Sequence, residues 1–249
     1  MFESLNEIVM RMINLIMLLA PFGVFALIAS ITTEVAGENP GESFALFGSL
    51  GMYALTVVIG LLFLVFVIYP GFISTLTIIK FKQFLKGMAP AQLLAFSTSS
   101  SAATLPMTIK CCEENLGVKK EISGFVLPLG ATINMDGTSL YQAVAAVFLA
   151  QIYGMDLTFI QQLTIIVTAT LASVGSAAVP GAGMIMLVIV LGSVGIPVEG
   201  IALIFAVDRP LDMLRTVVNI TGDSTIACAV AHSENKLHER LIIQKQNEM

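Results

Sequence analysis

Long apolar blocks, separated by short polar or charged connections, set the pattern of this chain. They occupy residues 8–32, 44–78, 122–153, 159–196 and 200–232. Each reaches or exceeds the roughly 20 residues that carry an α-helix across a bilayer. Block 8–32 predicts one transmembrane helix with Pro21 and Gly23 breaking its middle, followed by the polar connection EVAGENPGES (34–43). Block 44–78 predicts a second span, rich in β-branched residues, and leads into the basic stretch KFKQFLKG (80–87). Residues 88–109 are only half apolar and hold TSSSAATLP (98–106); the charged connection KCCEENLGVKKE (110–121) follows. NMDGT (134–138) interrupts block 122–153, and SVGSAAVPGAG (173–183) interrupts block 159–196.

Composition turns these blocks into a class. Of 249 residues, 56% are hydrophobic and 12% charged, with mean hydropathy +0.90. Soluble domains carry about 25% charged residues. The chain reads as an all-α integral membrane protein. The net charge of −5 carries little information, because the charges sit in connections, the tail and a few intramembrane positions. No basic run suggests nucleic acid. Cys111 and Cys112 fall in a charged connection and Cys228 in an apolar stretch, which makes neither a disulfide framework nor a metal-ligand spacing. No cleavable signal pattern precedes the first block.

Lysine and arginine set the orientation. The connections at 80–87 and 110–120 and the tail at 236–245 hold nearly all the loop cations, whereas 33–43, 153–158 and 193–199 hold none. The first group is expected to be cytoplasmic, C-terminus included, and the second external. The alternation closes only if 88–109 enters and leaves on the cytoplasmic side and 159–196 on the external side. Both segments are therefore expected to be re-entrant hairpins. Their tips match: Ser101-Ala102-Ala103-Thr104-Leu105-Pro106 and Ser176-Ala177-Ala178-Val179-Pro180. A helix with an amide and a carboxylate follows each, Asn134 with Asp136 and Asn219 with Asp223. This is the pattern of an inverted repeat.

Asp208, Asp212, Arg215, Thr216, Asn219 and Asp223 lie within one otherwise apolar segment. Such groups at membrane depth are costly and mark binding sites. At about 100° per residue, Asp212, Asn219 and Asp223 fall within about 40° of one another, and Asp208, Arg215 and Thr216 flank that stripe. NMDGT is expected to unwind its helix, with Gly137 taking an unusual backbone conformation. Freed carbonyls plus Asn134 and Asp136 offer oxygen-only ligation, which suits sodium and not a transition metal; a plain kink is the other reading. Arg215 carries a planar donor fork suited to a carboxylate, and Asp212 could take an ammonium. An internal Asp–Arg ion pair accounts for the same residues, as it would for Asp208 with Arg209. Asn219-Ile220-Thr221 matches a glycosylation sequon at membrane depth, where modification is not expected. Thr221-Gly222-Asp223 faintly echoes an intramembrane aspartyl protease, but two hairpins and extra ion-binding residues fit that poorly, and no enzyme is expected. His232 and His238 read as solvated.

Taken together, TSSSAATLP, LPLGATINMDGTSLYQ, SVGSAAVPGAG and DMLRTVVNITGD resemble, in order, the glutamate/aspartate transporter family, the dicarboxylate/amino acid:cation symporters. The resemblance spans roughly residues 15–232 and covers the C-terminal portion of such proteins. It implies an elevator-type transporter of the cell (inner or plasma) membrane, with sodium as coupled substrate and no other cofactor. It implies scaffold-type helix and external loop at 1–43, transmembrane helix and cytoplasmic loop at 44–87, transport domain at 88–232 and tail at 233–249. Within the transport domain, 88–109 would be hairpin 1, 122–153 the unwound seventh helix, 159–196 hairpin 2 and 200–232 the eighth helix. Arg215, with Thr138, would hold a side-chain carboxylate; Asp212 the amino group; Asn219 and Thr216 the α-carboxylate. Ser100 and Ser101 would contribute from hairpin 1, and Val179 and Gly183 backbone contacts from hairpin 2. One sodium would lie among the carbonyls of Gly130, Asn134 and Asn219 and the carboxylate of Asp223, a second near the carbonyls of Thr132, Ser173, Val174 and Ser176, and a third at Asn134 and Asp136. The expected partners are an acidic amino acid or dicarboxylate, sodium, the lipid bilayer and, if the N-terminal helices of longer family members accompany the chain, two further copies in a homotrimer. Three departures accompany the resemblance. Family members are much longer. A second arginine that they usually carry falls here at Ser99 or Met213, with Arg209 one turn before Asp212 as a substitute. Gln142 stands where proton- and potassium-coupled relatives have an acid. A proton-coupled C4-dicarboxylate carrier and a non-transporting packing partner are the rival readings.

Overall fold

The computed structural model describes residues 40–238 together with Arg11, Met12, Leu15, Leu18, Phe22, Phe25, Ala26 and Ala29, all eight helical. The break expected at Pro21 and Gly23, the connection up to residue 39 and the tail beyond His238 lie outside the described residues. Helices make up the fold, and among the described residues no strand forms beyond one isolated bridge, Val118 with Leu237.

Block 44–78 is one helical run. α1 (Pro40–Phe63) passes through a π-turn at Leu64–Ile68 into α2 (Tyr69–Leu76), and a π-turn shifts every later side chain around the axis. Pro40 opens α1, so the helix starts inside the stretch expected as a polar connection. The next pair is α3 (Phe81–Thr98) and α4 (Ser101–Glu114). Buried Phe84, Met88, Ala91 and Ala95 recur at helical spacing along α3. Ser99, with φ of 52°, ends α3 in the left-handed region, and the Ser100 side chain caps α4 by accepting from Ala103 N at 3.1 Å. Two residues thus make the turn.

This pair exceeds the expected 88–109 at both ends. The basic stretch 80–87 is mostly helix, and Cys111 and Cys112 lie in α4, 2% and 0% exposed, rather than in a charged loop. Charge misled the reading here: Lys110, Glu113 and Glu114 are partly exposed on the outer face of the same turn whose inner face buries both cysteines.

The interrupted block resolves into α5 (Lys120–Ile133) and α6 (Asp136–Ile152), broken at Asn134 and Met135. Gly137 does not take an unusual backbone conformation; it lies inside α6, and its φ is not positive. α7 (Phe159–Val174) and α8 (Ala182–Val194) form the second helical pair. A capping box of Thr158 and Gln161 starts α7, and Gly195 at φ of 74° ends α8, a left-handed position that glycine takes without steric cost.

The 33-residue α9 (Ile201–Ser233) is about 50 Å long at 1.5 Å per residue. It packs against α1 through α6. Its N-terminal half shares a core with α1, α6, α7 and α8, through Ile204, Leu211 and Val218. Its C-terminal half shares a second core with α3 and α4, through Ile220, Ala227 and Ala231. Large apolar side chains such as Leu93, Phe125, Ile160 and Ile185 face outward, as a hydrocarbon solvent allows.

The three cation-rich segments gather at one end. Asn115 Nδ2 donates to Gly87 O at 2.8 Å, Lys119 N to Lys236 O at 3.1 Å and His238 N to Gly117 O at 2.8 Å. Lys236 Nζ lies 2.6 Å from Glu121 Oε2. The charge pattern placed these segments on one side, and the contacts do the same.

Candidate solute and cation site

Helix periodicity brings Asp208, Asp212, Arg215, Thr216, Asn219 and Asp223 to the inner side of α9, each 8% exposed or less. Arg215 is the most enclosed, at 1%. Its Nη2 donates to Asp212 Oδ1 at 2.7 Å and to Asp208 Oδ1 at 3.1 Å. The guanidinium lies 3.7 Å over the Tyr141 ring, a cation–π contact. The internal ion pair is therefore formed, but it uses one nitrogen; Nε and Nη1 are buried without a partner. Buried donors in that condition are expensive. Nη1 is directed at the start of α8, where a Cβ on Gly183 would stand 3.3 Å from it. Arg209 is half-exposed and reaches Asp212 Oδ2 only at 4.0 Å.

The two tips meet above this cluster. Ser100 Oγ donates to Ala178 O at 2.7 Å, and Ala102 N approaches the same oxygen at 3.4 Å. Gly181, left-handed at φ of 77°, donates its N–H to Asp212 Oδ2 at 3.0 Å. Gln142 Nε2 donates to Gly183 O at 2.9 Å. The tips thus border a small cavity of about 10 Å³ lined by Ser101, Thr138, Val179, Gly183, Asp212, Thr216 and Asn219, among others. That is room for a single water. The expected solute-binding residues Ser100, Ser101, Thr138, Val179, Gly183, Asp212, Arg215, Thr216 and Asn219 are gathered here, with the tips closed.

Toward the other end of α9 a second polar group forms at the break between α5 and α6. Asn134 Nδ2 donates to Asp223 Oδ1 at 2.8 Å. Gly137 N donates to Asp136 Oδ1 at 3.0 Å and to Asn219 Oδ1 at 2.9 Å. Tyr69 Oη, from α2, donates to Asp136 Oδ2 and lies 3.3 Å from Val218 O. Close approach explains the glycines. A Cβ on Gly130 would stand 2.5 Å from Asp223 Oδ1, and one on Gly137 would stand 2.9 Å from Arg215 O. One on Gly222 would stand 2.8 Å from Asp136 Oδ2 and 3.0 Å from Tyr69 Oη. Gly130, Asn134, Asp136, Asn219 and Asp223 are thereby brought together around two carboxylates, whose described hydrogen-bond partners are all neutral.

The remaining expected ligands are the backbone carbonyls of Thr132, Ser173, Val174 and Ser176, on which side-chain direction does not bear. Ser173 and Ser176 are buried, and Ser176 N donates to Ser173 O at 3.1 Å. The side chains of Thr132 and Val174 face outward, and Thr132 Oγ1 bonds back to Leu129 O at 2.7 Å. Sequence reasoning missed Tyr69, whose hydroxyl at the Tyr-Pro step of an apolar span was the available signal. It also missed Tyr141 and Gly222, which only contact reveals.

Fold and site define a helical integral membrane protein with a buried charged cluster where two helix-pair tips meet. The pattern of the sodium:dicarboxylate symporter family matches residues 1–233, and the chain belongs to that family. It is 47% identical to excitatory amino acid transporter 1 of Mus musculus over 254 residues, covering 100% of this chain and 46% of the relative. It is 50% identical to excitatory amino acid transporter 1 of Ambystoma tigrinum over 231 residues, with 93% and 42% covered. It is 48% identical to excitatory amino acid transporter 3 of Oryctolagus cuniculus over 223 residues, with 90% and 41% covered. The chain spans about half the length of the curated relatives it matches.

Proposed function

We propose that this chain carries the solute- and sodium-binding part of a sodium-coupled symporter of acidic amino acids. One observation supports this above the rest: a buried Arg215 with two unpartnered nitrogens lies beside Asp212 where two helix-pair tips meet. A solute carboxylate would take the free donors of Arg215, with Thr138 assisting. The solute ammonium would take Asp212, displacing Gly181 N. Thr216 and Asn219 would receive the α-carboxylate, with Ser100 and Ser101 below and the backbone of Val179 and Gly183 above. The demand for an ammonium favours an amino acid over a simple C4-dicarboxylate.

Sodium would lie at Asp223 with Gly130, Asn134 and Asn219, at Asp136 with Asn134, and near Thr132, Ser173, Val174 and Ser176. In this reading the two helix pairs are re-entrant hairpins entering from opposite faces, and the C-terminus is cytoplasmic. The α7–α8 pair is the outer gate: its tip must release Ser100 and Asp212 before a solute enters. The α3–α9 block then moves past a fixed scaffold in an elevator-type cycle, within a homotrimer. The test is uptake of labelled aspartate by proteoliposomes of the full chain under an inward sodium gradient. Accumulation that disappears when choline replaces sodium is the expected result. Uptake indifferent to sodium, or equal uptake of succinate, would refute the assignment.

A further inference from the structure

The cation group at the α5–α6 break contains one member that its loop motif does not supply. Tyr69 comes from α2, in a different apolar block from NMDGT and from α9. Its ring lies in the apolar core, and Tyr69 is 4% exposed. Its hydroxyl crosses to the Asp136 carboxylate and has a second acceptor, Val218 O at 3.3 Å. The geometry around Gly222 locates the meeting point. A Cβ there would lie 2.8 Å from Asp136 Oδ2, 3.0 Å from Tyr69 Oη and 3.2 Å from Asn134 Nδ2. Polar atoms from two separate stretches of chain, at 69 and at 134–136, therefore converge on a third, where the hydrogen-only side chain of Gly222 leaves room. The other oxygen of Asp136, Oδ1, accepts from Gly137 N at 3.0 Å.

We infer that Tyr69 is the positioning residue for the cation-bearing carboxylate of Asp136, and so helps to set the affinity and ion preference of that site. The inference rests on the reading that Asn134 and Asp136 hold sodium. A carboxylate free to rotate presents either oxygen to an ion. Fixed by a phenol on Oδ2 and a backbone N–H on Oδ1, it presents one remaining lone pair per oxygen in set directions. Hydrogen bonds of this kind to a ligating carboxylate orient it and tune its charge, and their loss costs about 10–100-fold in metal affinity. The proton stays on Tyr69 throughout. As an ion draws charge from Asp136, the phenol's bond to the carboxylate weakens, and Val218 O stands ready as the alternative acceptor.

The variant is Tyr69→Phe, which keeps the buried ring and deletes only the hydroxyl. The full chain in lipid nanodiscs is titrated with sodium and, separately, with lithium. Thermal unfolding is the readout, each compared with choline so that a uniform loss of stability cancels. The expected result is a sodium midpoint about tenfold or more weaker, with a changed sodium-to-lithium ratio. A purely packing role would lower unfolding temperatures equally in all three salts, and that outcome overturns the inference. A second measurement needs only the unaltered protein. The chain has 4 tyrosines and no tryptophan, so the tyrosine Raman doublet, which reports phenol hydrogen bonding, is unmasked. Sodium should shift it, and a sodium-insensitive doublet overturns the inference even if the variant fails to fold. If the unaltered protein shows no sodium-dependent stabilisation at all, the sodium-site reading itself falls. If it is stabilised by sodium but Tyr69→Phe retains the same midpoint and ion ratio, only the role of Tyr69 falls.

Discussion

Replacing Gly130 by alanine should damage sodium binding without damaging the helix that carries it. The added Cβ would stand 2.5 Å from Asp223 Oδ1 and 2.8 Å from its Cγ. A carbon–oxygen contact relaxes to about 3.3 Å, so the carboxylate must retreat by about 0.8 Å. The backbone cannot easily give instead, because Gly130 O accepts the last α5 hydrogen bond, from Asn134 N at 2.8 Å. The retreat stretches the Asn134 Nδ2 to Asp223 Oδ1 bond from 2.8 Å toward the limit of hydrogen bonding. A hydrogen bond to a charged group is worth about 1.5–3 kcal/mol, and ion ligands tolerate displacements of only about 0.2 Å. Sodium affinity should therefore fall about 10–100-fold, at about 1.4 kcal/mol per tenfold. Helix propensity acts in the opposite direction, favouring alanine by about 0.8–1 kcal/mol, so overall stability is the wrong readout. The assay is the sodium midpoint for thermal stabilisation, repeated as aspartate titration calorimetry at fixed sodium. Gly124 on the same helix supplies the control, since a Cβ there meets nothing within 4 Å. A Gly130→Ala variant with an unshifted sodium midpoint would refute the placement of a cation at Asp223.

Other perturbations probe the solute side and the inner end. Arg215→Ala should abolish binding of aspartate while leaving the sodium midpoint unchanged; because it strands Asp208 and Asp212, it should also cost about 3–5 kcal/mol of stability, read by calorimetry beside the sodium titration. Ser100→Ala removes both the α4 cap, worth about 1 kcal/mol, and the tip bond to Ala178, worth about 0.5–1.5 kcal/mol. Amide exchange across 175–181 should rise about tenfold or more, and unchanged exchange would mean that the tips are held otherwise. Acidification should loosen the tail contact. The hydrogen bond from Lys236, reinforced by its charge, holds the Glu121 carboxyl below its ordinary value. Its contribution is thus fully present above the usual carboxylate range and is lost as pH falls through the lower folded value. Exchange of the Lys119 and His238 amides should speed up over that window, and a flat profile would show that the backbone bridge between Val118 and Leu237 holds this contact without the ion pair.

Much of this architecture is local in origin and was legible along the chain. A 3.6-residue period places Asp212, Asn219 and Asp223 on one stripe whatever surrounds them. Ser99-Ser100 and the glycine-rich 173–183 stretch break helices through their own backbone preferences, and cation-rich connections mark one end of the molecule. Where local chemistry was ambiguous the reading failed. Cys111 and Cys112 sit among charges in sequence yet pack inside, because at about 100° per residue one face of the turn holds both cysteines and the other holds Lys110 and Glu114. Gly137 was read as a conformational device and is instead a spacer against the Arg215 carbonyl. Tertiary structure alone decided the long-range contacts: Tyr69 to Asp136, Ser100 to Ala178, and Asn134 and Gly130 against Asp223. Those contacts join residues separated by 67, 78 and 89 positions or more. Helix periodicity says which face a residue occupies; only packing says which other face it meets, since that depends on how all the apolar stripes are buried at once.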